Sequence, residues 1–504
     1  MEELMAEVAE LRTELKQQKA INRELLKRLY GSRSEQMDSN QLLLLLSEDE
    51  AKKPIAAETG GHEPEAETRK TRARRTSRLS DSLKSLPTLE RVITAPEVLA
   101  NPDDYRLIGE EVSERLHVSP QSFTLERIRR QTHVKRGDLD GALITPPLEP
   151  CLLPGSVLTP SLGAMLLTEK FCYHQPFYRQ EWRLRATHGI ELRRDLMCSW
   201  HNHLAGLLLP LHERIARKMR GSDYLQIDET PIRCLDPGAG KTALGYLWTY
   251  RHPDHGVLFD WHNSRANTCL DHVLISEEGS FNGILQSDGL RAYQAFIGRH
   301  HQQDITPVSC LAHIRRKFIK ARDEHPRLVA WIFHQIGQLY RLEAEVKKRD
   351  ASPGLRWRAR RRWSLLRYHH LAKLFKHLRR RRRILPKSPL GEALHYALGQ
   401  WPHLAPCFED GRIELDNNLA ENAIRPTKLG HKNWMFVGGK DTGWRSAVIY
   451  TFVEQVRAHG MDPLRYFEWV FEQLMREPNP GEEEIGEMLP SAWVQQQNAA
   501  GKIA

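Results

Sequence analysis

The chain has 504 residues, enough for several domains, and its hydrophobic fraction of 40% allows sizeable cores. It carries 74 Lys and Arg residues against 64 Asp and Glu residues, a formal net charge of +10. This excess indicates an anionic partner, most commonly nucleic acid, although a basic enzyme of another kind has the same balance. No apolar run reaches the roughly 18 residues of a membrane-spanning helix, and no secretory pattern is present, so we expect no membrane partner. The seven cysteines include no CxxC pair, which favours a reducing, cytoplasmic location.

A heptad pattern of apolar residues occupies the start of the chain. From Leu4 to Leu29 these residues alternate in steps of four and three, and Asn22 falls at a core position of the repeat. A single buried Asn fixes the register of a coiled coil and favours two strands. We therefore predict a coiled-coil segment over residues 1–46 and a homodimer formed through residues 4–29. The alternative is one amphipathic helix packed against its own domain.

The next two segments are predicted to connect this coil to the rest of the chain. Residues 47–85 are first acidic and then basic, with too few apolar residues to form a core. They predict a flexible linker, whose basic run either contacts DNA phosphates or is a solvated charged stretch. Residues 86–150 contain short strand-like runs and predict a small mixed module, which ends in a proline-rich boundary.

Residues 151–221 have helical periodicity. Within them the sequence predicts a helix, a turn at Gly189 and a second helix, which is the order found in a helix-turn-helix. Arg193 and Arg194, near the start of the second helix, are candidates for DNA contact. An ordinary helical hairpin has the same pattern and is the alternative.

The pattern changes at residue 222, where short apolar runs of strand length begin. Gly, Pro and Asn separate the first three runs, which predicts an antiparallel meander, and two more runs alternate with helices. Residues 222–318 are therefore predicted to form the first part of a mixed α/β core. The fragment DPGAGKT resembles a phosphate-binding loop, but Leu235 stands where that motif needs Gly, so we interpret it as a hairpin turn. The five runs are YLQID, YLWTY, VLFDW, ILQSD and DITPVSC.

The rest of the chain is predicted to be mostly helical. Residues 319–405 form a long, basic, helical block. Residues 406–450 complete the core with a helix near 418–425, which Pro426 is expected to end. Residues 451–504 form a C-terminal helical tail.

Two aspartates occupy equivalent positions in this pattern. Asp228 in LQIDETP and Asp288 in LQSDGLR each end an apolar strand, where a carboxylate is costly unless it is paired or binds a cation. If the two strands are neighbours, both carboxylates reach one edge of the sheet, and a hard divalent cation such as Mg²⁺ would relieve their repulsion. Glu229 points to the opposite face of its strand, so only Asp228 is assigned to the site.

A third acidic residue, Glu421, is the candidate that completes a site for two metal ions. Arg425 and Lys428 follow it, and a carboxylate beside two cations suits a site that holds metal and phosphate together. The alternative is structural, because the spacing from Asn418 to Glu421 is that of a helix-capping interaction.

The segment SCLAHIRRKF has two further interpretations. Cys310 and His313 form half of a zinc site, but no second pair at suitable spacing is evident, so zinc is not predicted here. His313 and the three basic residues after it are candidates for DNA contact, with a solvated helix face as the alternative. The three basic residues are Arg315, Arg316 and Lys317.

In combination these motifs resemble those of the insertion sequence 66 family of bacterial DDE transposases. The resemblance rests on QIDETP, QSDGLRAY, CLAHIRRKF and DNNLAENAIRPTKLGHKNWMFVGG, and it covers nearly the whole chain. It implies an α/β RNase H-like catalytic core with a large all-helical insertion, an N-terminal coiled coil and a helical DNA-binding region. It also implies that Asp228, Asp288 and Glu421 are the catalytic carboxylates and hold two Mg²⁺ ions, with Mn²⁺ as a substitute.

The resemblance implies an activity and partners as well. The expected reaction is Mg²⁺-dependent strand cleavage at the ends of a mobile element, followed by transfer of the freed 3′-OH into target DNA. The expected partners are double-stranded DNA, a second copy of the chain and small accessory proteins of the same element, at the nucleoid when DNA is bound. The alternatives are a catalytically decayed DNA-binding protein of the element and an RNase H-like nuclease that does not join strands.

One segment departs from the family pattern. Members often carry a small cysteine-rich zinc-binding module after the linker, whereas residues 86–150 contain no cysteine. Metal-supported folding of this module, and any DNA contact that depends on it, is therefore not expected.

Overall fold

The computed structural model describes residues 122–124, 150–236, 241–289, 291–381 and 383–499. The chain divides into two units, Met1–His117 and Val118–Ala504, and all described residues belong to the second. The predicted coil and linker, and almost all of the predicted module over 86–150, lie outside the described residues. Within the described ranges, no helix is long and apolar enough to cross a lipid bilayer.

Among the residues that the structure describes, four helices precede the sheet. They are α1 (Pro160–Phe171), α2 (Phe177–His188), α3 (Arg194–Leu207) and α4 (Leu209–Arg220). The first is capped by Thr159, whose side chain accepts the backbone N–H of Leu162. The second ends at Gly189, which has a φ of 66° and turns the chain without the strain that a side chain would bring. The predicted turn between two helices is confirmed.

The predicted antiparallel meander forms one half of a five-stranded sheet. Its strands are β1 (Tyr224–Cys234), β2 (Ala243–His252) and β3 (Gly256–His262). The middle strand, β2, pairs antiparallel with both of the others. Residues 237–240 of the loop-like fragment lie outside the described residues, but the strands on either side of it pair as expected for a hairpin.

Helices and short strands then lead to the second half of the sheet. These elements are a 3₁₀ turn (Asn267–Leu270), α5 (Asp271–Leu274), β4 (Ile275–Ser276), β5 (Gly279–Ser280), β6 (Gly283–Ser287), α6 (Arg291–Arg299), β7 (Ile305–Ser309) and α7 (Leu311–Ile319). The strand order of the sheet is β3-β2-β1-β6-β7. Because β6 runs parallel to β1 and β7 runs parallel to β6, the sheet is mixed, as predicted. The short strands β4 and β5 pair only with each other.

The described residues between α7 and the last part of the core are helical, as predicted. They form α8 (Pro326–Lys348), α9 (Pro353–Ala359), a π-helical turn (Arg360–Ser364), α10 (Leu365–Arg379), α11 (Pro389–Gln400) and a 3₁₀ segment (Trp401–Phe408). A buried ion cluster joins them, because Glu343 accepts hydrogen bonds from Arg356 and Arg360. The remaining donors of Arg360 reach the carbonyls of Cys407 and Ile413. A fully buried guanidinium is tolerated here because its donors are satisfied.

The C-terminal part of the chain is helical apart from short connections. It contains α12 (Asn418–Trp434), a 3₁₀ turn (Lys440–Thr442), α13 (Gly443–Ala458), α14 (Pro463–Arg476), α15 (Glu482–Met488) and α16 (Pro490–Ala499). The prediction that Pro426 ends a helix is wrong, since α12 continues through it to Trp434. The cost of an interior proline is offset by packing, because Ile424 and Thr427 on either side of it are buried.

Two apolar cores hold these elements together. The first joins the sheet to α1–α4 and to the C-terminal helices, with Trp200, Trp248 and Phe452 fully or almost fully buried within it. The second joins α7 to the helical block around Phe318 and Phe375, and it includes Tyr224 of β1 and Val308 of β7. Strands of the same sheet therefore contribute to both cores, which fixes the ends of the strands between two packed layers.

Candidate active site

Asp228 and Asp288 lie close to where two parallel strands stop pairing, Asp228 within β1 and Asp288 directly after β6. The strands β1 and β6 are parallel, and Gln226 is aligned with Gln286. Each aspartate follows its glutamine by two residues, so both lie just beyond the last paired residues of β1 and β6. The prediction that Asp228 ends its strand is wrong, because β1 continues to Cys234 and Asp228 pairs with Thr249 of β2. Both aspartates are half-buried. The sequence analysis assumed that these two strands are neighbours, and this is confirmed.

Two buried glutamines hold a distant segment of the chain beside the two aspartates by hydrogen bonds. Gln226 and Gln286 share a hydrogen bond of 3.0 Å from Nε2 to Oε1. Gln226 also donates to the carbonyl of Asp416, and Gln286 donates to the carbonyl of Glu414, each at 2.9 Å. The backbone N–H of Ala420 in α12 donates to Oε1 of Gln226 (3.3 Å). Since both glutamines are fully buried, these bonds fix the start of α12 at the end of the sheet.

Glu421, in the first turn of α12, contacts two residues of α7. Its carboxylate oxygens lie 3.4 Å from Nδ1 of His313 and 3.3 Å from Nη2 of Arg316. The alternative in which Glu421 serves only as a capping residue paired with Asn418 is wrong. The residue that precedes the helix is Asn417, and its side chain makes no capping hydrogen bond.

The negative charges of the two other predicted acidic residues both act on Asp228. Burial raises the pKa of Asp228 well above its usual range, and the negative charges of Glu229, Glu421 and Asp288 raise it further. The backbone N–H of Glu229 donates to Oδ1 of Asp228 (3.0 Å), which opposes this shift without cancelling it. Packing therefore holds together carboxylates that repel one another.

The donor chemistry of these carboxylates suits a hard divalent cation. Magnesium prefers carboxylate oxygens, and the three acidic residues offer them from β1, the end of β6 and α12. Oε1 of Glu421 is buried and accepts no hydrogen bond from the described residues. A cation held between the acidic residues would offset the repulsion that raises the pKa of Asp228.

The neighbour of Asp228, Glu229, is fixed by a separate set of contacts. It accepts hydrogen bonds from Nε of Arg265 (2.7 Å) and from the hydroxyl of Tyr293. Burial raises the pKa of Glu229, and the hydrogen bonds from Tyr293 and Arg265 offset part of that rise. The sequence analysis did not identify Arg265 or Tyr293, although Tyr293 lies in the QSDGLRAY motif.

The helical block holds the turn that carries Asp288. The hydroxyl of Tyr396 in α11 donates to the backbone carbonyl of Asp288. The next residue, Gly289, has a φ of 78°, and a Cβ atom there would overlap the side chain of Gln400. Glycine is therefore required at this turn for two reasons, its left-handed backbone and the close approach of α11.

The predicted cationic residues of α12 lie beside the acidic residues. Because the helix is continuous through Pro426, Arg425 and Lys428 follow Glu421 by four and seven residues on one helix face. Both side chains are exposed. This face therefore presents positive charge to the solvent next to a carboxylate.

The predicted DNA-contacting residues of α7 have different surroundings. His313 is half-buried, and both it and Arg316 contact Glu421. The guanidinium of Arg315 lies 4.9 Å from the ring of Phe333. The ammonium of Lys317 lies 4.9 Å from the ring of Tyr396. The three basic side chains of α7 are exposed, so their charge is accessible from the solvent.

Arg193 and Arg194 lie where α3 begins, in the helical region before the sheet. Both side chains are exposed, and Arg193 pairs with Asp195. The backbone N–H of Arg194 donates to Glu181 of α2 (3.4 Å), which ties the two helices together. The turn at Gly189 thus presents two arginines at the N-terminus of the second helix.

The structure also supplies a third potential ligand beside Cys310 and His313. The donor atoms of Cys310, His313 and Glu421 lie within 4.8 Å of one another. The sequence analysis rejected zinc at this segment because it found no further ligand, and Glu421 is distant in sequence from the other two. This cluster shares Glu421 with the carboxylate site and is part of it.

Comparisons with known proteins identify relatives over most of the chain. A family model described as "Transposase IS66 family" matches residues 155–444, and a model described as "Transposase C of IS166 homeodomain" matches residues 17–91. The uncharacterized protein y4qI of Sinorhizobium fredii is 32% identical over 410 residues, covering 77% of this chain and 72% of the relative. The uncharacterized protein y4jD of the same organism is 29% identical over 472 residues, covering 89% of each chain.

Proposed function

The chain belongs to the IS66 family of transposases, and we propose that it cleaves DNA strands at the ends of its transposable element and transfers the freed 3′-OH into target DNA. The observation that carries this proposal is the geometry around Gln226, which is aligned with Gln286 on the paired strand and accepts the backbone N–H of Ala420, next to Glu421, at the start of α12. Bringing together acidic residues from such distant parts of the chain costs electrostatic free energy. A role for these residues in a cation-dependent reaction would explain why the fold places them together.

The proposed catalytic core is RNase H-like. Its support is the mixed sheet in the order β3-β2-β1-β6-β7, with acidic residues within β1, directly after β6 and on the later helix α12. In this proposal residues 222–318 and 406–450 form the core, and residues 319–405 are an insertion. The contact from Tyr396 to the carbonyl of Asp288 gives the insertion a role in shaping the site.

Asp228, Asp288 and Glu421 would hold two Mg²⁺ ions, or Mn²⁺ in their place. Ions bound there activate the attacking oxygen and stabilise the leaving oxygen of a phosphodiester. Asp228 experiences the charge of both other carboxylates and is the proposed shared ligand. Arg425 and Lys428 would offset the charge of the DNA phosphates.

The remaining basic residues are proposed to bind the element ends and the target DNA. Arg193 and Arg194 would contact DNA from the start of α3, and the exposed cations of α7 would contact it beside the acidic site. Two ends must be processed together, so we propose a dimer through residues 4–29, which lie outside the described residues. Accessory proteins of the same element complete the proposed assembly.

The test is strand cleavage and joining by the purified full-length chain on duplex DNA that carries the element ends. We expect the wild type to cut and join DNA in Mg²⁺ or Mn²⁺. Asp288→Asn and Glu421→Gln should bind the same DNA. Their cleavage rates should fall by at least about 100-fold to 1000-fold, as when one stabilising group is removed from an active site. The matched control is Asp254→Asn, an exposed aspartate of the β2–β3 turn, which should react as the wild type does.

Three outcomes would overturn the proposal in different ways. A wild-type chain that binds element ends but never cuts them would be a decayed DNA-binding protein. Cleavage without joined products would indicate an RNase H-like nuclease. Undiminished cleavage by Asp288→Asn would remove the assigned carboxylates from the reaction.

A further inference from the structure

A second cluster of metal-ligating side chains lies where β3 ends. Oδ2 of Asp260 is 2.8 Å from Nε2 of His262 and 2.9 Å from Nδ1 of His272. The other carboxylate oxygen, Oδ1, accepts the backbone N–H of Trp261 (2.9 Å). The backbone thus orients the carboxylate so that one oxygen faces both imidazoles.

The elements that carry these residues make the cluster rigid on one side and open on the other. Asp260 and His262 are two apart on β3 and share a face of the strand, whereas His272 comes from α5. Asp260 is buried and His262 is half-buried, while the side chain of His272 is 68% exposed. The three donor atoms lie within 4.8 Å of one another. A ligand held there would keep one side accessible to water.

The cluster differs in its partners from the ion pair formed by a neighbouring aspartate. The nearby Asp271 illustrates the ordinary arrangement, because it pairs with Arg299 as well as with His300. Among the described residues, no Lys or Arg pairs with Asp260, and two imidazoles converge on one of its oxygens instead.

We propose that Asp260, His262 and His272 bind one borderline divalent metal ion of the Zn²⁺ type, with water in the remaining position. Two imidazole nitrogens and a carboxylate oxygen are a usual donor set for zinc. Tetrahedral bonds of about 2.0–2.2 Å separate ligand atoms by about 3.3 Å. The present spacings of 2.8 and 2.9 Å need only to widen by about 0.5 Å.

The ion would fasten the end of β3 to α5 and so fix the segment between them. That segment contains Arg265, which donates to Glu229 beside Asp228 (2.7 Å from Nε). The ion would therefore influence the acidic site through the segment that carries Arg265, without contacting the acidic residues themselves. This role does not depend on the reaction proposed above.

The experiment measures zinc bound by the purified full-length chain after saturation with Zn²⁺ and dialysis. We expect His272→Gln and His262→Gln each to retain one equivalent less than the wild type. Loss of a direct ligand should weaken binding by at least about 100-fold, since loss of an outer partner alone costs about 10-fold to 100-fold. The matched control His300→Gln removes a histidine that also pairs with an aspartate (2.9 Å) and should keep that equivalent.

Two further measurements separate this site from the cluster at Cys310. Cys310→Ser should keep the zinc that His272→Gln loses. With Co²⁺ in place of Zn²⁺, the spectrum that disappears in His272→Gln should lack a thiolate band.

The midpoint of thermal unfolding should rise with Zn²⁺ in the wild type and less in His272→Gln. Equal zinc content in the wild type and both histidine variants, or no bound zinc at all, would overturn the proposal.

Discussion

Gln226 and Gln286 face each other across the two parallel strands that carry Asp228 and Asp288, and their side chains are joined by a hydrogen bond of 3.0 Å. Each also donates to the chain that leads to Glu421. Neither glutamine carries a charge, but their hydrogen bonds position the start of the helix that carries the third acidic residue. The motif Q-x-D, repeated in QIDETP and QSDGLRAY, therefore combines a positioning residue with a candidate ligand.

Replacing Gln286 with leucine should destabilise the fold and disturb the acidic site together. Gln286→Leu removes the amide donor to the carbonyls of Ser309 and Glu414, and the thiol of Cys407 remains as a weak donor to Glu414. The free energy of unfolding should fall by about 1–3 kcal/mol. Urea unfolding measures this loss. At a temperature where circular dichroism shows the variant folded, cleavage of element ends should still fall, by up to about 100-fold, because α12 is displaced.

The control for this prediction is Gln338→Leu. Gln338 in α8 contacts only His334, at 3.3 Å, among its described side-chain hydrogen bonds. This change should alter the free energy of unfolding by no more than about 0.5 kcal/mol and leave cleavage unchanged. If Gln286→Leu behaved like this control, the buried amides would not position Glu421.

The contact between Arg265 and Glu229 should contribute to stability and to activity. The Glu229 side chain is 1% exposed and that of Arg265 is 47% exposed. Arg265→Ala should cost about 1–2 kcal/mol, less than a fully buried pair, since water reaches the arginine and Tyr293 still donates to Glu229. A double-mutant cycle with Glu229→Gln, measured by urea unfolding, should give a coupling energy of about 0.5 kcal/mol or more. Zero coupling would show that the two residues act independently.

Much of the sheet could be predicted from the sequence because its strands are short apolar runs separated by turn residues. The meander and the turn at Gly189 follow from local pattern, whereas the pairing of the strands that precede Asp228 and Asp288 was a condition of the prediction and not its result. The position of Glu421 does not, because it depends on the hydrogen bonds of two buried glutamines to a segment that lies 128 residues beyond Gln286. A single sequence contains no periodicity that reports such a contact.

Other features were missed because packing overrides local preference. Proline disfavours a helix interior, so the sequence predicted an end at Pro426, whereas burial of Ile424 and Thr427 sustains α12. The cluster of Asp260, His262 and His272 combines a strand with a helix that follows a turn, and the spacing of its histidines matches no metal-binding motif. It became visible only when the fold placed their side chains together.

The buried cluster of the helical block should be sensitive to loss of one partner. Arg360→Met leaves the carboxylate of Glu343 with Arg356 as its remaining described hydrogen-bond partner. The free energy of unfolding should therefore fall by about 3–5 kcal/mol. Guanidinium-induced unfolding measures this. Arg362→Met, at an exposed arginine of the same π-helical turn, should change stability by about 0.5 kcal/mol or less. Adding Glu343→Gln to Arg360→Met should restore part of the loss, and failure to do so would argue against a charge effect.

Buried His201 should make the stability of the protein depend on pH. It stacks on the ring of Phe171 at 5.6 Å, and burial, together with the charge of Lys170, lowers its pKa well below the ordinary 6.5. Below about pH 6.5, His201 is therefore protonated in the unfolded chain and neutral in the folded chain. As the pH falls, this difference lowers the free energy of unfolding by about 1.4 kcal/mol per pH unit. The test is urea unfolding between about pH 7.5 and 5.5, where His201→Gln should lose this contribution to the pH dependence of the free energy of unfolding. The control Asn202→Ala removes a neighbouring side chain but no titratable group, and it should keep that pH dependence. An unchanged slope in His201→Gln would mean that this imidazole accepts a proton equally well in the folded and unfolded chains.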